Sequence, residues 1–217
     1  MIERSIAAAT HGRYLMEPPA SGGVAPVMFG FHGYGEGAEA QLDRMRAIPG
    51  ADRWRLVAIQ GLHRFYQRRD NQVVASWMTR QDRELAIADN LAYVAAVMNE
   101  VTREFSTAPR LMLGGFSQGV AMTFRAIAAA PQKVDGVIAV GGDIPPELDA
   151  GALAPIGAAL VCRGERDDWY TGGKFEADVQ RLRAAGTLVR PLVFAGGHEW
   201  SDEVIRAAAI FLNESYP

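Results

Sequence analysis

Short apolar runs alternate along the chain with longer segments in which apolar residues recur every three or four positions. The apolar runs predict buried strands at residues 26–31, 55–60, 110–114, 134–140, 158–163 and 188–194. The segments with helical spacing predict α-helices at residues 81–105, 117–130, 174–185 and 201–213. Strands that alternate with helices are typical of a mostly parallel sheet covered by helices on both faces, so the pattern predicts the α/β class.

The remaining segments predict less regular structure. Residues 5–9 and 14–16 flank a His-Gly pair and predict an N-terminal hairpin. Residues 62–80 are polar and predict a long loop. Pro191 interrupts the last predicted strand and has no backbone N–H to donate, so that strand is expected at a sheet edge or a bulge.

Composition and charge narrow the class of protein. The 217 residues include 49% hydrophobic and 22% charged residues, an ordinary globular balance that fits a single α/β domain over residues 1–217. The net charge of −3, without runs of like charge, gives no support for nucleic-acid binding. No apolar stretch reaches the roughly 18 residues of a membrane helix, so stable membrane insertion is not expected.

The N-terminal residues and the cysteine content bear on where the protein is located in the cell. The first ten residues include Glu3 and Arg4 and do not predict a signal peptide. Cys162 is the single cysteine and lies in an apolar run, which predicts a buried structural thiol rather than a nucleophile. We therefore expect a cytoplasmic protein. The segment between residues 142 and 158 is short, so a large cap domain is not expected after the strand that precedes it.

The clearest chemical signal is Gly115-Phe116-Ser117-Gln118-Gly119. It follows a predicted strand and opens a predicted helix, which is the setting of a nucleophile elbow in α/β-hydrolase folds. The turn is strained, and the small residues around Ser117 let the backbone bend sharply. A helix-capping serine in a glycine-rich turn is the structural alternative. The context favours Ser117 as a catalytic nucleophile.

A serine hydroxyl needs a base, and the order in this fold is serine, then acid, then histidine. His198 is the only histidine after Ser117, and it lies in a glycine-rich loop between the last strand and the last helix. The acid should follow a strand between the two. Asp167 is the favoured candidate, with Asp168 and Asp143 as alternatives.

Two backbone N–H groups should hold the oxyanion. Gln118, directly after the nucleophile, predicts one donor, and Tyr34, in the glycine-rich loop after the first parallel strand, predicts the other. His32, which precedes this loop, is expected to support it through a ring hydrogen bond. No cluster of His, Cys or Asp has metal-ligand spacing, and no phosphate-binding motif is present, so neither a metal nor a cofactor is predicted.

These motifs resemble the phospholipase/carboxylesterase family of small α/β hydrolases, which includes the acyl-protein thioesterases. The matching pieces are His32-Gly33-Tyr34-Gly35, Trp77, Gly115-Phe116-Ser117-Gln118-Gly119, Gly164 with Asp167, and Gly197-His198-Glu199. The resemblance implies a hydrolase without a cap that cleaves carboxylic esters or thioesters. It also implies Asp167 as the acid and Trp77 in a loop near the substrate.

The chain departs from the family pattern at two places. Met78-Thr79 follow Trp77 where the family usually has an acidic residue, and Trp169 and Tyr170 follow the acid where the family often has proline and valines. These aromatic residues are expected to narrow the acyl pocket, which predicts a preference for short to medium acyl groups.

The sequence thus predicts a serine hydrolase that acts on a small-molecule ester through an acyl-enzyme. A dienelactone-hydrolase-like or sugar-ester esterase is an alternative with the same triad. A non-catalytic α/β-hydrolase-fold protein that binds a small molecule is an alternative of another class.

Overall fold

The computed structural model describes residues 1–214, and within them nine strands form two sheets. The strands are β1 (Arg13–Glu17), β2 (Ala25–Phe31), β3 (Arg55–Gln60), β4 (His63–Tyr66), β5 (Val73–Ser76), β6 (Thr107–Phe116), β7 (Val134–Val140), β8 (Ile156–Gly164) and β9 (Leu188–Phe194). The central sheet has the order β1-β3-β2-β6-β7-β8-β9, and β4 and β5 form a separate antiparallel hairpin. All neighbours in the central sheet are parallel except β1, which pairs antiparallel with β3.

Helices cover both faces of this sheet. They are α1 (Ala38–Arg46), α2 (Arg83–Glu104), α3 (Gln118–Ala126), α4 (Ala150–Leu153), α5 (Gly172–Ala184) and α6 (Asp202–Asn213). Alternate residues of a strand point to opposite faces, so each central strand contributes to two hydrophobic clusters. One cluster packs α2, α3 and α5 against the sheet, and the other packs α1 and α6 against the opposite face. No helix within residues 1–214 is long and apolar enough to cross a membrane.

The predicted α/β class and the mostly parallel sheet are confirmed. The observed β7 and β9 have the predicted bounds, and β9 lies at an edge of the sheet, as Pro191 predicted. At an edge strand, a missing N–H costs no hydrogen bond to a neighbouring strand, so proline is tolerated there.

Two predictions for the irregular segments are wrong. Residues 5–9 contain no strand, and β1 pairs with β3 instead of forming an N-terminal hairpin. The segment 62–80 is not a plain loop, because it contains the β4–β5 hairpin. Helix α1 was not predicted; its buried face consists of Ala38, Gln41, Leu42 and Met45, in a helix of nine residues.

Parallel strands bring their carboxyl ends to one edge of the sheet, where sites of this fold class form. The segments that follow β2, β6, β7, β8 and β9 there carry the chemically suggestive residues, among them Tyr34, Ser117, Asp143, Asp167 and His198. This shared edge brings together residues that are more than 160 positions apart in the chain, from Tyr34 to His198.

Candidate active site

Ser117 lies in a strained turn between β6 and α3. Its φ and ψ are 53° and −121°, an unusual conformation for a residue with a side chain. A Cβ atom at Gly115 would lie 2.6 Å from the carbonyl oxygen of Gly119, and one at Gly119 would overlap the carbonyl oxygen of Phe31. Both positions therefore require glycine for the turn to form, and the predicted elbow is present.

A continuous chain of hydrogen bonds joins Ser117, His198 and Asp167. The Nε2 atom of His198 lies 2.8 Å from Ser117 Oγ, and its Nδ1 atom lies 2.8 Å from Asp167 Oδ2. A carboxylate only accepts, so the network assigns the proton to Nδ1 and leaves Nε2 free to accept from the serine hydroxyl. This is the arrangement of a serine nucleophile, a general base and an orienting acid.

The environment of Asp167 distinguishes it from the other candidate acids. Its Oδ1 atom accepts hydrogen bonds from the backbone N–H groups of Trp169 and Tyr170, both at 2.9 Å, and the residue is 3% exposed. Asp168 is exposed, and Asp143 pairs with Lys174 at 3.7 Å. Of the three aspartates considered, the structure brings Asp167 to His198.

The predicted oxyanion donors flank the nucleophile. Tyr34 and Gln118 line one cleft together with Ser117. The amides on either side of Tyr34 are engaged, because Gly33 N–H donates to Glu36 and Gly35 N–H donates to the carbonyl of Ala75. Within residues 1–214 the N–H groups of Tyr34 and Gln118 have no protein acceptor, which leaves them available to a ligand.

A half-buried ion pair fixes the loop that carries Tyr34. Glu36 accepts from Gly33 N–H at 2.8 Å and from both terminal nitrogens of Arg44 at 2.6 Å. Burial alone would raise the pKa of Glu36, but the Arg44 hydrogen bonds and charge outweigh burial, and the net pKa is lowered. The guanidinium of Arg44 also lies 4.2 Å from the ring centre of Phe116, whose ring is 5.1 Å from that of His198. This support could not be predicted from the sequence, since Arg44 lies on helix α1, for which the sequence gives little signal.

His32 has the structural role that the sequence predicted. Its Nε2 atom accepts from Gly61 N–H at 3.0 Å, so Nδ1 carries the proton and donates to the carbonyl of Gly33 at 2.7 Å. Burial is the main cause of a lowered pKa for this imidazole. The neutral ring thereby connects the end of β2 to the end of β3.

Two of the three predicted substrate contacts lie behind the wall of the cleft. Trp77 is fully buried, and its indole N–H donates to the carbonyl of His32 at 2.8 Å. Tyr170 is 1% exposed, and its hydroxyl donates to Asp178 at 3.1 Å. The expectation that Trp77 and Tyr170 contact the substrate is therefore wrong: each ring packs in the core and each polar atom has a protein partner. Trp169 is exposed and lines the cleft.

The cleft above Ser117 has a volume of about 910 Å³. Its apolar lining comes from Met78, Ala121, Pro145, Pro146 and Trp169. Arginine side chains also line it, at positions 80, 83, 125 and 166. These lining residues could not be predicted from the sequence, because they come from four separate segments that only the fold brings together. Within residues 1–214, no group of three or more His, Cys, Asp or Glu side chains is arranged to hold a metal ion.

Known proteins provide an independent comparison. The structure resembles esterase PE8 (TM-score 0.74, 21% identity, 94% of this chain and 98% of that chain). It also resembles acyl-protein thioesterase 2 of Zea mays (TM-score 0.70, 17% identity, 93% and 98%). A carboxylesterase of Mesorhizobium loti gives a TM-score of 0.69 at 23% identity over 88% and 89% of the two chains. These likenesses show an α/β-hydrolase fold.

No curated protein sequence is significantly similar to the chain. A sequence model of the phospholipase/carboxylesterase family, however, matches residues 19–214, which is most of the chain. That range contains the elbow, the hydrogen-bonded Ser117–His198–Asp167 chain and the loop that carries Tyr34. The chain therefore belongs to the phospholipase/carboxylesterase family of α/β hydrolases.

Proposed function

We propose that the protein is a serine esterase that hydrolyses carboxylic esters or thioesters through an acyl-enzyme on Ser117. The observation that carries this proposal is the unbroken hydrogen-bonded chain from Ser117 through His198 to Asp167, with 2.8 Å at both links. Membership of a family of esterases and phospholipases supports the same reaction class. The small-molecule ester is the substrate, and water is the second reactant.

The reaction begins with proton transfer. His198 accepts the Ser117 proton at Nε2 as Oγ attacks the carbonyl carbon, and Asp167 stabilises the imidazolium that forms. The N–H groups of Gln118 and Tyr34 then donate to the oxyanion of the tetrahedral intermediate. His198 returns the proton to the departing alcohol or thiol, which leaves the acyl group on Ser117.

Deacylation uses the same residues in reverse. Water gives a proton to His198 as its oxygen attacks the acyl carbon, and the proton then returns to Ser117 as the acid is released. Asp167 acts only as a hydrogen-bond acceptor and counter-ion. Its two backbone donors, from residues 169 and 170, hold the carboxylate in the orientation that His198 requires.

We keep the preference for short to medium acyl groups as part of the proposal, on the evidence of Trp169 alone. This exposed ring lines the cleft, whereas Tyr170 is buried and does not line it. A series of p-nitrophenyl esters of increasing chain length tests the preference, and an optimum at long chains contradicts it. The single-domain organisation and the cytoplasmic location predicted from the sequence also stay predictions.

The test of the proposed function compares the wild type with Ser117→Ala, Asp167→Asn and Asp168→Asn on p-nitrophenyl butyrate. Loss of Ser117 or Asp167 is expected to lower kcat by about three to four powers of ten, while Asp168→Asn stays near the wild type. Asp168→Asn is a matched control, because it makes the same chemical change one residue further along the chain.

A fluorophosphonate label adds a substrate-independent readout. We expect one adduct on Ser117 in the wild type and none in Ser117→Ala. A wild type that neither hydrolyses the ester nor reacts with the label contradicts the proposal and favours a non-catalytic binding protein.

A further inference from the structure

One part of the cleft combines an apolar floor with arginine side chains. We call it the arginine arm; its members are Met78, Thr79, Arg80, Arg83, Ala121, Arg125, Pro145 and Pro146. Ser117, Ala121 and Arg125 are spaced four residues apart along α3 and its N-cap, so they follow one another along one face of the helix. At 1.5 Å per residue, Arg125 lies about 12 Å along the axis from the nucleophile. The arm therefore runs from Ser117 toward the arginines.

Arg125 lies at the far end of the arm, and Arg80 and Arg83 line the same cleft. Arg125 is buried, donates to Glu147 from Nε at 2.8 Å, and has a terminal nitrogen 3.9 Å from the sulfur of Met78. Burial alone would raise the pKa of Glu147, but Arg125 outweighs burial, and the charge of Arg83 lowers the pKa further. Arg83 on α2 thus lies close enough to Glu147 for its charge to act there.

The positive charge of the arm is not fully compensated. Glu147 pairs with Arg125, so these two charges cancel. Arg80 has no carboxylate partner within residues 1–214, and the partner of Arg83 is the neighbouring Glu84 at 3.5 Å, whose side chain is 86% exposed. An exposed pair of this kind is weak, because solvent screens the two charges. Arg80 and Arg83 therefore remain able to bind an anion.

The acidic side chains that line the cleft follow β7 and β8 and are not members of the arginine arm. Asp167 is bound to His198, and Asp143 pairs with Lys174. On the loop after β8, Asp168 contributes one negative charge and Arg166 contributes one positive charge. The arginine arm is thus a positive region in a chain whose net charge is −3.

The position of His198 indicates which part of the substrate would lie in the arginine arm. His198 must return its proton to the leaving group, so the leaving group lies beside its Nε2 atom, at the N-terminus of α3. The arginine arm is the part of the cleft assigned to the acyl chain, because Ala121 and Met78 give it an apolar surface, and Trp169 lines the same cleft. An apolar chain fits this floor, and a negative group at its end meets Arg80 and Arg83.

We propose that the preferred substrate is an ester whose acyl chain ends in a carboxylate, bound by Arg80 and Arg83 at the end of the arginine arm. This inference rests on the proposed esterase function. Charge complementarity would act on both binding and orientation, because a guanidinium can hold a carboxylate through two parallel hydrogen bonds.

The test uses two esters that differ at the end of the acyl chain, the anionic p-nitrophenyl hydrogen suberate and its uncharged methyl ester, p-nitrophenyl methyl suberate. We expect kcat/KM of the wild type to be about tenfold higher for the anionic ester at low ionic strength, which corresponds to roughly 1.4 kcal/mol. In Arg80→Gln/Arg83→Gln the ratio should fall below about twofold. Arg103→Gln, an exposed arginine at the other end of α2, is the control and should keep the wild-type ratio.

Salt gives a second readout on the wild type alone, which remains valid if the double variant does not fold. The preference for the anionic ester should shrink as sodium chloride rises to about 1 M, because exposed charges are then screened over about 3 Å. A wild type that hydrolyses the capped ester as fast as the anionic one overturns the inference and leaves the esterase function intact. Hydrolysis of neither ester, without a Ser117 adduct, contradicts the proposed function itself.

Discussion

Single glycines decide whether the proposed catalytic side chains have room to meet. Gly141, directly after β7, has a φ of 66°, and a Cβ atom there would lie 3.2 Å from Cε1 of His198 and 3.5 Å from Asp167 Oδ2. The position therefore combines a left-handed backbone with close contact to two members of the proposed triad. A side chain would be strained and would also push against the imidazole.

We expect Gly141→Ala to lower kcat for p-nitrophenyl butyrate by about a hundredfold, because small displacements of catalytic groups carry penalties of this order. The matched control is Gly186→Ala, after α5, where φ is 89° and a Cβ atom would have no neighbouring atom within 4 Å. Both variants should lose about 1–2 kcal/mol of stability in urea unfolding, from the backbone strain they share. A Gly141→Ala enzyme with wild-type kcat would show that His198 tolerates the contact.

At the level of residues, the sequence predicts part of the proposed site. Ser117 and His198 follow from the elbow and from the order of the triad residues. The choice between Asp167 and Asp168 depends on which carboxylate receives the amides of residues 169 and 170, and this is a property of the turn rather than of the residue types. The burial of Trp77 and Tyr170 likewise depends on contacts that no local pattern encodes.

At the level of elements, the Gln118 side chain connects the elbow to the end of the β4–β5 hairpin. Its Oε1 atom accepts from Trp77 N–H at 2.9 Å and from Ser76 Oγ at 3.2 Å, and its Nε2 atom donates to the carbonyl of Met78 at 3.0 Å. Gln118 thus has two separate roles, a backbone N–H for the proposed oxyanion hole and a side chain that holds the wall of the cleft.

Replacement of this side chain should separate the two roles. Gln118→Met keeps the backbone N–H and the approximate volume but removes the three side-chain hydrogen bonds, and it leaves the buried amide of Trp77 without its acceptor. We expect a loss of about 1–3 kcal/mol in urea unfolding and a rise in KM that exceeds the fall in kcat. Gln72→Met, an exposed position in the same hairpin segment, is the control for the change in side-chain type. A fall in kcat at constant KM would instead place the effect on the oxyanion donor.

The elements that were not predicted from the sequence are the β4–β5 hairpin and helix α1, which depend on contacts with the rest of the fold. The β4–β5 hairpin is exposed along β4 and lacks the apolar alternation of a buried strand, so its four-residue strands give little signal. Helix α1 presents a short buried face that includes the polar Gln41. The central strands, by contrast, are buried on both faces, and their continuous apolar runs predicted them well.

At the level of the whole molecule, the buried His32 links stability to pH. Its neutral ring bridges the ends of β2 and β3, and its Nε2 atom accepts a hydrogen bond, so a proton there would replace an acceptor with a donor. Burial lowers the pKa of His32 below its ordinary value of 6.5. At pH values between the lowered pKa of the folded state and 6.5, His32 carries a proton in the unfolded chain but not in the folded chain.

The sign of the effect follows from this difference in bound protons. Because the unfolded state binds more protons, the free energy of unfolding falls as the pH decreases from about 7 through about 6.5 and below. We expect His32 to contribute a slope of up to about 1.4 kcal/mol per pH unit in that range. Asp178, whose pKa is raised chiefly by burial, contributes in the opposite direction, so the slope must be compared between variants.

Urea unfolding of the wild type, His32→Gln and His63→Gln at pH 7 and pH 5.5 provides the comparison. The wild type and His63→Gln, whose histidine is exposed on β4, should lose stability between the two pH values by similar amounts. His32→Gln should be less stable at pH 7, because the bridge between β2 and β3 is altered, but it should lose less on acidification. An equal pH-dependent loss in all three proteins would mean that His32 takes up a proton without unfolding, and that the neutral bridge does not control the acid stability of the fold.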